Sequence, residues 1–516
     1  MIVDTDRFRL RRFVEELIQQ GECETHDAPL DLIDVAGVLD RNRRAIYFAA
    51  VGPERANLVG NVMGSRRRLA LALDADEKSL TEKLHGRLAH PLKPQRVSSQ
   101  DAPVHEVIVQ GEAADLCTLP VHLQHADDGA PYISASLDFA LFPGTGYTNI
   151  GCRRLMLRGP RQAGVDLLAP SDLRAIFLDA VKRGEPLPVS YVVGTHPADF
   201  MAAMASTAPM DELEVMGAVR GTPVPIVKCI TNDVWVPADA EYVLEGFLDP
   251  KGHVEPEGPY GEYVGYYGVL KRNPVFHLTA ITRRKDALFQ TVTISGKGLA
   301  RTETAHVTSV KTEAAVWSAL RSSVREPIAV YATPTSGGMY NVRASLRQHY
   351  PGEPKNAIAS VFGCKGDVKH VFVFDEDIDV FSDEEVDWAL ATRFQSDRDL
   401  LLGSGFRVVP LDPSLGGGRT GAKMGFDCTI PFARRGASEF AVPMPPILPT
   451  RKRQSVEDAL REKPASFLEL MASIGTRDGR DVVRELGRLY ATSRLGRLEH
   501  GRYTLQEEDS DSTLDP

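Results

Sequence analysis

Cysteine is scarce and scattered. The six cysteines of the 516-residue chain (Cys23, Cys117, Cys152, Cys229, Cys364 and Cys428) include no C-x-x-C pair. That spacing excludes a zinc ribbon and a disulfide framework and points to a reducing compartment. No apolar run approaches the roughly 18 residues of a membrane span. The opening MIVDTDRFRLRRFVEEL has no apolar stretch of the secretory kind. A soluble, cytoplasmic chain without a membrane partner is therefore expected. Positive charge is not in excess: 60 Lys and Arg face 70 Asp and Glu, for a formal net charge of −10. An acidic chain is a poor general binder of nucleic acid, so a small-molecule role is expected, with at most a local basic patch for one phosphate group. H-E-x-x-H, G-x-S-x-G and a strand-following G-x-G-x-x-G are all missing. Their absence argues against a zinc hydrolase, an α/β-hydrolase and a dinucleotide-binding dehydrogenase.

What is present is the composition of a folded globular protein, 43% hydrophobic, 25% charged and 7% aromatic. At roughly 100–200 residues per domain the length suggests two to four domains. Leu10, Phe13, Val14, Leu17 and Ile18 predict a helix over 6–20 ended by Gly21. Residues 1–100 read as a small α/β domain closed by the linker HPLKPQRVSSQDAP. From 101 to 310 the period changes to two. ISASLDFALF places Ile133, Ala135, Leu137, Phe139 and Leu141 on one face, and PGTG then turns the chain into the strand YTNIGCRRLMLRG. VPIVKCI, GEYVGYYG and VFHLTAIT are further strands, MGAVRG is read as one more, and a single helix over 171–184 interrupts them. An antiparallel barrel or sandwich is expected. A linker helix over 311–330, starting near Glu313, leads to an α/β domain over 331–445. Two helical stretches (454–474 and 480–494) and a disordered acidic tail fill 446–516.

Four constellations can carry chemistry. Glu257 and Glu262 flank a Gly-Pro-Tyr-Gly turn. Either the turn brings both acids into one space, where neighbouring carboxylates favour one shared proton, or the segment is a hairpin corner with solvated acids. In Asn149-Ile-Gly-Cys-Arg-Arg154, strand alternation puts Arg154 on the apolar face of Ile150, Cys152 and Met156. A guanidinium there needs an anion, either a substrate carboxylate or phosphate or an acidic core residue. Arg153 points to the opposite face. Asp211-Glu212 offers hard oxygen ligands for Mg²⁺ or Mn²⁺, or is simply a polar loop. SLGGGRTGAKMGFDCT fails the phosphate-loop pattern, because Gly421 is followed by Ala422 and Met424 stands where Ser or Thr is needed; a flexible lid or hinge is the remaining reading.

Taken together, DDGAPYIS, TGYTNIGCRR, DELEVMGAV, VKCITNDVWVPADAEYVLEGFLD, EGPYGEYVGYYG, PKNAIASVFG, DEDIDVFSDEEVDWALATR and GAKMGFDCT resemble the UbiD family of prenylated-FMN-dependent decarboxylases. The resemblance spans roughly residues 8–435. It implies a multidomain α+β and α/β fold, with a split antiparallel β-barrel cofactor domain and an α/β oligomerisation domain. It implies reversible, non-oxidative decarboxylation of an aromatic, heteroaromatic or α,β-unsaturated carboxylic acid, free or as a thioester, through a covalent adduct with prenylated FMN. By the same resemblance Arg154, Glu257 and Glu262 are catalytic. Ser134, Asn149, Ile150, Cys152, Arg153, Arg154 and Lys365 are cofactor-binding. Asn149, Asp172 and Glu212 hold Mn²⁺ or Mg²⁺, with K⁺ nearby. Asp172 departs from the family pattern, which often has a histidine there; Asp172 or Ser171 also suits the N-cap of the following helix. Cys152-Arg153 replaces the aromatic residue common beside the arginine. The resemblance further implies a flavin prenyltransferase as cofactor supplier and a homo-oligomer, dimer or hexamer. The alternatives are a non-catalytic or co-catalytic subunit of a multi-subunit carboxylase, and a conventional flavin oxidoreductase, which the missing dinucleotide fingerprint disfavours.

Overall fold

The computed structural model describes residues 3–205, 210–364, 367–450 and 454–506. The chain divides into two compact units, one ending at Thr429 and one beginning at Ile430. In the first unit, helix Leu10–Gln19 buries Leu10, Phe13, Val14 and Leu17 as their spacing predicts, whereas Ile18 stays exposed at the edge of that face, and Gly21 takes a left-handed conformation just past the helix end. The strands Cys23–His26, Ala45–Val51 and Ala56–Gly60 form a sheet completed by Phe289–Gln290 from far along the chain. The N-terminal layer is thereby tied to the middle of the sequence.

The middle region is built on a closed barrel of six antiparallel strands: β1 Tyr132–Leu141, β2 Thr148–Gly159, β3 Gln162–Val165, β4 Leu187–Val193, β5 Tyr242–Leu248 and β6 Val275–Arg283. The order is β5-β4-β1-β2-β3-β6, and β6 pairs back onto β5. Closure removes the exposed edges an open sheet would present. Four expectations need correction. The alternation in β1 is broken by an irregularity between Ile133 and Ser136. One extra residue flips the side on which side chains emerge, so Ile133 packs in the cluster of Leu155 and Tyr191 while Leu137 and Phe139 pack in that of Ile150. MGAVRG is not a strand but part of helix Glu212–Arg220, capped by Asp211 and ended by left-handed Gly221. That helix is buried almost all round, which hides its period. With Pro197–Met204 it makes three helices in this region rather than one. VPIVKCI and GEYVGYYG lie outside the barrel, in a three-stranded sheet and a short hairpin respectively.

Helix Glu303–Ser323 begins ten residues before the expected start, capped by Thr302. Beyond it stands a five-stranded mixed sheet, ordered Pro327–Ala332, Asn341–Leu346, His370–Asp375, Thr420–Asp427, Leu400–Arg407. The Gly-rich segment read as a lid supplies the strand Thr420–Asp427. Gly425 lies directly under Ile358 of helix Glu353–Gly363, leaving no room for a Cβ. In the second unit the first helical stretch breaks at Lys463–Pro464 into Val456–Glu462 and Phe467–Ile474, followed by Gly479–Ala491 and the antiparallel pair Leu495–Arg497 and Tyr503–Leu505. Tail residues 507–516 lie outside the described residues. Among the described residues no helix is long and apolar enough to cross a membrane.

Candidate active site

Strand β2 carries Arg154 on the face predicted from alternation, and two short strands off the barrel bring acids to it. Glu257 ends the strand Glu255–Glu257, and Glu262 follows Tyr260–Gly261. Arg154 Nε donates to Glu257 Oε1 at 3.0 Å and Nη2 to Glu257 Oε2 at 3.4 Å, while Nη1 donates to Glu262 Oε2 at 3.1 Å. The guanidinium lies over the Tyr260 ring, 4.3 Å from its centroid. The Arg154 side chain is 14% exposed, Glu262 3% and Glu257 not at all. The two acids therefore share one space and are not a solvated corner.

Two further charged residues complete the cluster. Asp166 lies 2.9 Å from Arg154 Nη2. Lys271 Nζ bridges Asp166 Oδ2 and Glu262 Oε1, each at 3.2 Å. Asn273 Nδ2 donates to Glu257 Oε2 at 3.2 Å. Burial opposes the charge on Arg154, but Glu262, Glu257 and Asp166 outweigh it and hold the guanidinium above its ordinary value. Burial likewise opposes the Asp166 charge, and Arg154 and Lys271 overcome it, so its carboxyl sits below the usual range. Burial raises the phenols of Tyr132 and Tyr260, which stay protonated at neutral pH. Two cations thus face three carboxylates. One surplus negative charge remains.

Above this cluster opens a cavity of about 520 Å³, within the range of small-molecule and cofactor sites. It is lined on the barrel side by Ser134, Asn149, Ile150, Cys152, Arg153, Arg154, Asp166 and Glu262, and on the other by Thr308, Lys311 and Thr312 of helix Glu303–Ser323. Glu257 lies behind Arg154. Ser134 Oγ accepts from Val292 N at 2.9 Å and from Gln124 Nε2 at 2.8 Å, and Gln124 Oε1 in turn accepts from Tyr260 at 2.9 Å. Arg153 donates to Cys152 O at 2.7 Å and to Ser171 Oγ at 3.1 Å, with Asp138 at 3.6 Å. Burial, followed by the Asp138 charge, pushes the Cys152 thiol up to about 12, so Cys152 is a packing group and not a thiolate.

At the far end of the cavity, Glu212 Oε2 accepts from Asn149 Nδ2 at 3.0 Å and from the Ile150 N–H. Burial, then repulsion from Asp138 and Asp172, pushes the Glu212 carboxyl up to about 7. A buried carboxylate held against its own charge in this way is suited to a cation. Ser171 accepts from Arg174 N and caps its helix, so the cap is Ser171 and not Asp172. Asp172 opens the helix and lines the cavity with Glu212. Among the described residues no three His, Cys, Asp or Glu side chains are gathered closely enough to hold a metal by themselves. The oxygen-bearing side chains at this end of the cavity are Glu212, Asp172 and Asn149. Lys365 lies outside the described residues.

Asp166, Lys271, Asn273 and Gln124 escape the sequence reading. Lys271 had one available signal: it is the cross-strand partner of Glu257 in the pairing of Glu255–Glu257 with Lys271–Asn273, and opposite charges favour such positions.

Three family models match in succession: the N-terminal domain of 3-octaprenyl-4-hydroxybenzoate carboxy-lyase over residues 14–88, its Rift-related domain over 95–298 and its C-terminal domain over 305–428. Anhydromevalonate phosphate decarboxylase of Methanosarcina mazei is 30% identical over 422 residues, covering 81% of this chain and 95% of that protein. The structure of the UbiD-class enzyme HmfF from Pelotomaculum thermopropionicum in complex with FMN superposes with a TM-score of 0.80 at 34% identity, covering 84% of this chain and 97% of that one. Apo 3,4-dihydroxybenzoic acid decarboxylase (AroY) of Klebsiella pneumoniae gives 0.78 at 26% identity, covering 85% and 98%. These relatives are decarboxylases of one class, and the chain belongs to that class, the UbiD family.

Proposed function

We propose that the chain is a reversible, non-oxidative decarboxylase of an aromatic, heteroaromatic or α,β-unsaturated carboxylic acid, working with prenylated FMN. The observation that carries this reading is the buried Arg154–Glu257–Glu262 cluster with its surplus negative charge at the wall of a flavin-sized cavity. The cofactor assignment is supported by the FMN held by HmfF and the prenylated FMN held by an evolved dimeric form of that enzyme.

Loss of CO₂ from an sp² carbon leaves an electron pair that no side chain can accept; a bound prenylated flavin supplies that electron sink. The chain's own residues do the rest. Arg154 presents a planar fork to the substrate carboxylate. Glu257 and Asn273 fix the fork from behind, and Tyr260 supports it from below. Glu262, which lines the cavity, delivers the proton to the carbon that has lost CO₂. Lys271 and Asp166 set the charge around it. Ser134, Ile150, Cys152 and Arg153 form the cofactor-facing wall. Asn149, Glu212 and Asp172 would hold Mn²⁺ or Mg²⁺, whose charge would offset that of a bound phosphate, and a K⁺ would be held nearby; oxygen donors suit those ions. A flavin prenyltransferase supplies the cofactor in the cytoplasm, and the α/β region around the five-stranded sheet pairs subunits into a homo-oligomer.

Exchange of hydrogen for deuterium at the product carbon tests the proton-transfer role. Glu262→Gln is expected to keep flavin absorbance and lose exchange. Exchange at the wild-type rate in that variant would remove Glu262 from the role of acid.

A further inference from the structure

The unit that begins at Ile430 lies past the last family match at residue 428, and decarboxylation gives no reason for it. Its core gathers Val456, Leu460, Leu470, Val482, Leu486 and Leu489 from three helices. Between the first two helices Ala465 bridges to Tyr503, which belongs to the strand paired with Leu495–Arg497. The path is helix, short strand, helix, helix and hairpin. Helices Phe467–Ile474 and Gly479–Ala491 are joined by a four-residue turn opening with left-handed Gly475. The turn length, its glycine and the element order are those of a helix-turn-helix, here with a hairpin where a wing would stand.

Fold alone does not assign a partner; the outer face of helix Gly479–Ala491 does. Val482, Leu486 and Leu489 point into the core. The opposite side carries Arg480, Arg484 and Arg488 at four-residue intervals, all exposed, with Arg477 in the turn and Arg497 on the wing. The acids of the same segment are engaged locally. Asp478 caps the helix, Asp481 accepts from Thr476 Oγ1 at 2.7 Å, and Glu485 accepts from Val456 N at 3.0 Å. Arg480 and Arg484 also pair with Asp478 and Asp481, but these side chains are 81% and 69% exposed, and such pairs yield readily to a better anion. Gly487 stands amid the arginines with nothing within 4 Å of where a Cβ would be. Glycine weakens a helix interior and no packing here asks for it; a bare position lets another backbone approach closely.

We infer that this unit is a binding module for duplex DNA, with helix Gly479–Ala491 lying in the major groove and the arginines on flanking phosphates. The B-form major groove admits a helix, whereas the A-form groove is too deep and narrow. The net charge of −10 averages over the whole chain and conceals this face.

The test is fluorescence anisotropy of the full chain with a labelled mixed-sequence DNA duplex of about 24 base pairs, titrated at increasing salt from about 50 mM. Micromolar binding is expected, weakening with a log–log salt slope of about −3 to −4 for roughly four phosphate contacts. The triple variant R480A/R484A/R488A should bind at least about tenfold more weakly with unchanged Tm and CO₂ release, and R480K/R484K/R488K should keep most of the affinity, because lysine still pairs with phosphate as a point charge. Removing equal charge from exposed arginines of the first unit, R12A/R55A/R67A, should leave binding intact. Absence of duplex binding at the lowest salt, equal loss in the two alanine triples, or equally tight binding of an RNA duplex would each overturn the assignment.

Discussion

Arg154 is held where an unpaired guanidinium would be strongly destabilising, so its partners are part of its function. Lys271 is the least expected of the neighbouring groups. Its ammonium contacts the Glu262 oxygen that Arg154 leaves open. Removing it takes away charge that favours the carboxylate. Lys271 also helps Arg154 hold the Asp166 carboxyl below its ordinary range, so in Lys271→Met the acid limb of the decarboxylation rate should move to higher pH, and Lys271→Arg should bring it back toward wild type. An unchanged profile in the methionine variant would show that Lys271 only packs. At this scale the sequence exposes Arg154, because strand alternation alone puts it on an apolar face, and it exposes Glu257 and Glu262 once their motif is matched. It conceals Asp166, Lys271 and Asn273. Their roles depend on cross-strand register and on barrel closure, and no local pattern encodes either.

The hairpin that delivers Glu262 depends on a residue with no side chain. A Cβ on Gly268 would stand 2.6 Å from Glu262 Oε1 and 2.9 Å from its Cγ, and that carboxylate is already pinned by Arg154 and Lys271. Gly268→Ala must displace the acid. Displacements of about 1 Å at a reacting centre can cost about 100-fold in rate, so a loss of that order is expected while Tm stays within a few degrees. A wild-type rate would show that Glu262 has room the packing does not suggest. Elements with clean periodicity, such as helix Leu10–Gln19, are legible from sequence. Helix Glu212–Arg220 is not, since burial on nearly every side erases the polar face that betrays a helix, and the irregularity in β1 is invisible until its partner strand is known.

Among the described residues of the first unit, four buried imidazoles, His105, His122, His196 and His306, are held below their ordinary value. Burial is the largest cause in each, taking His122 and His306 down to about 4 and His196 to about 3. His196 Nδ1 accepts the Ala198 N–H at 3.2 Å, so the helix cap itself requires a neutral ring. An unfolded histidine titrates near 6.5. Between about pH 6.5 and 4 the unfolded chain binds protons that the folded chain refuses, so stability is full above that window and falls as pH drops through it. Denaturation midpoints between pH 7.5 and 5 should decline accordingly. His196→Asn, which keeps a capping side chain without a titrating ring, should show a shallower decline; an equal slope would exclude His196 from the effect.

The central claim, decarboxylation that depends on prenylated flavin, is tested most directly by producing the chain with and without a flavin prenyltransferase and following CO₂ release from a panel of aryl, heteroaryl and α,β-unsaturated acids. Release from at least one acid only after co-production, abolished in Glu262→Gln, is the predicted result. Equal release from both preparations, or flavin oxidation without CO₂, would contradict the account.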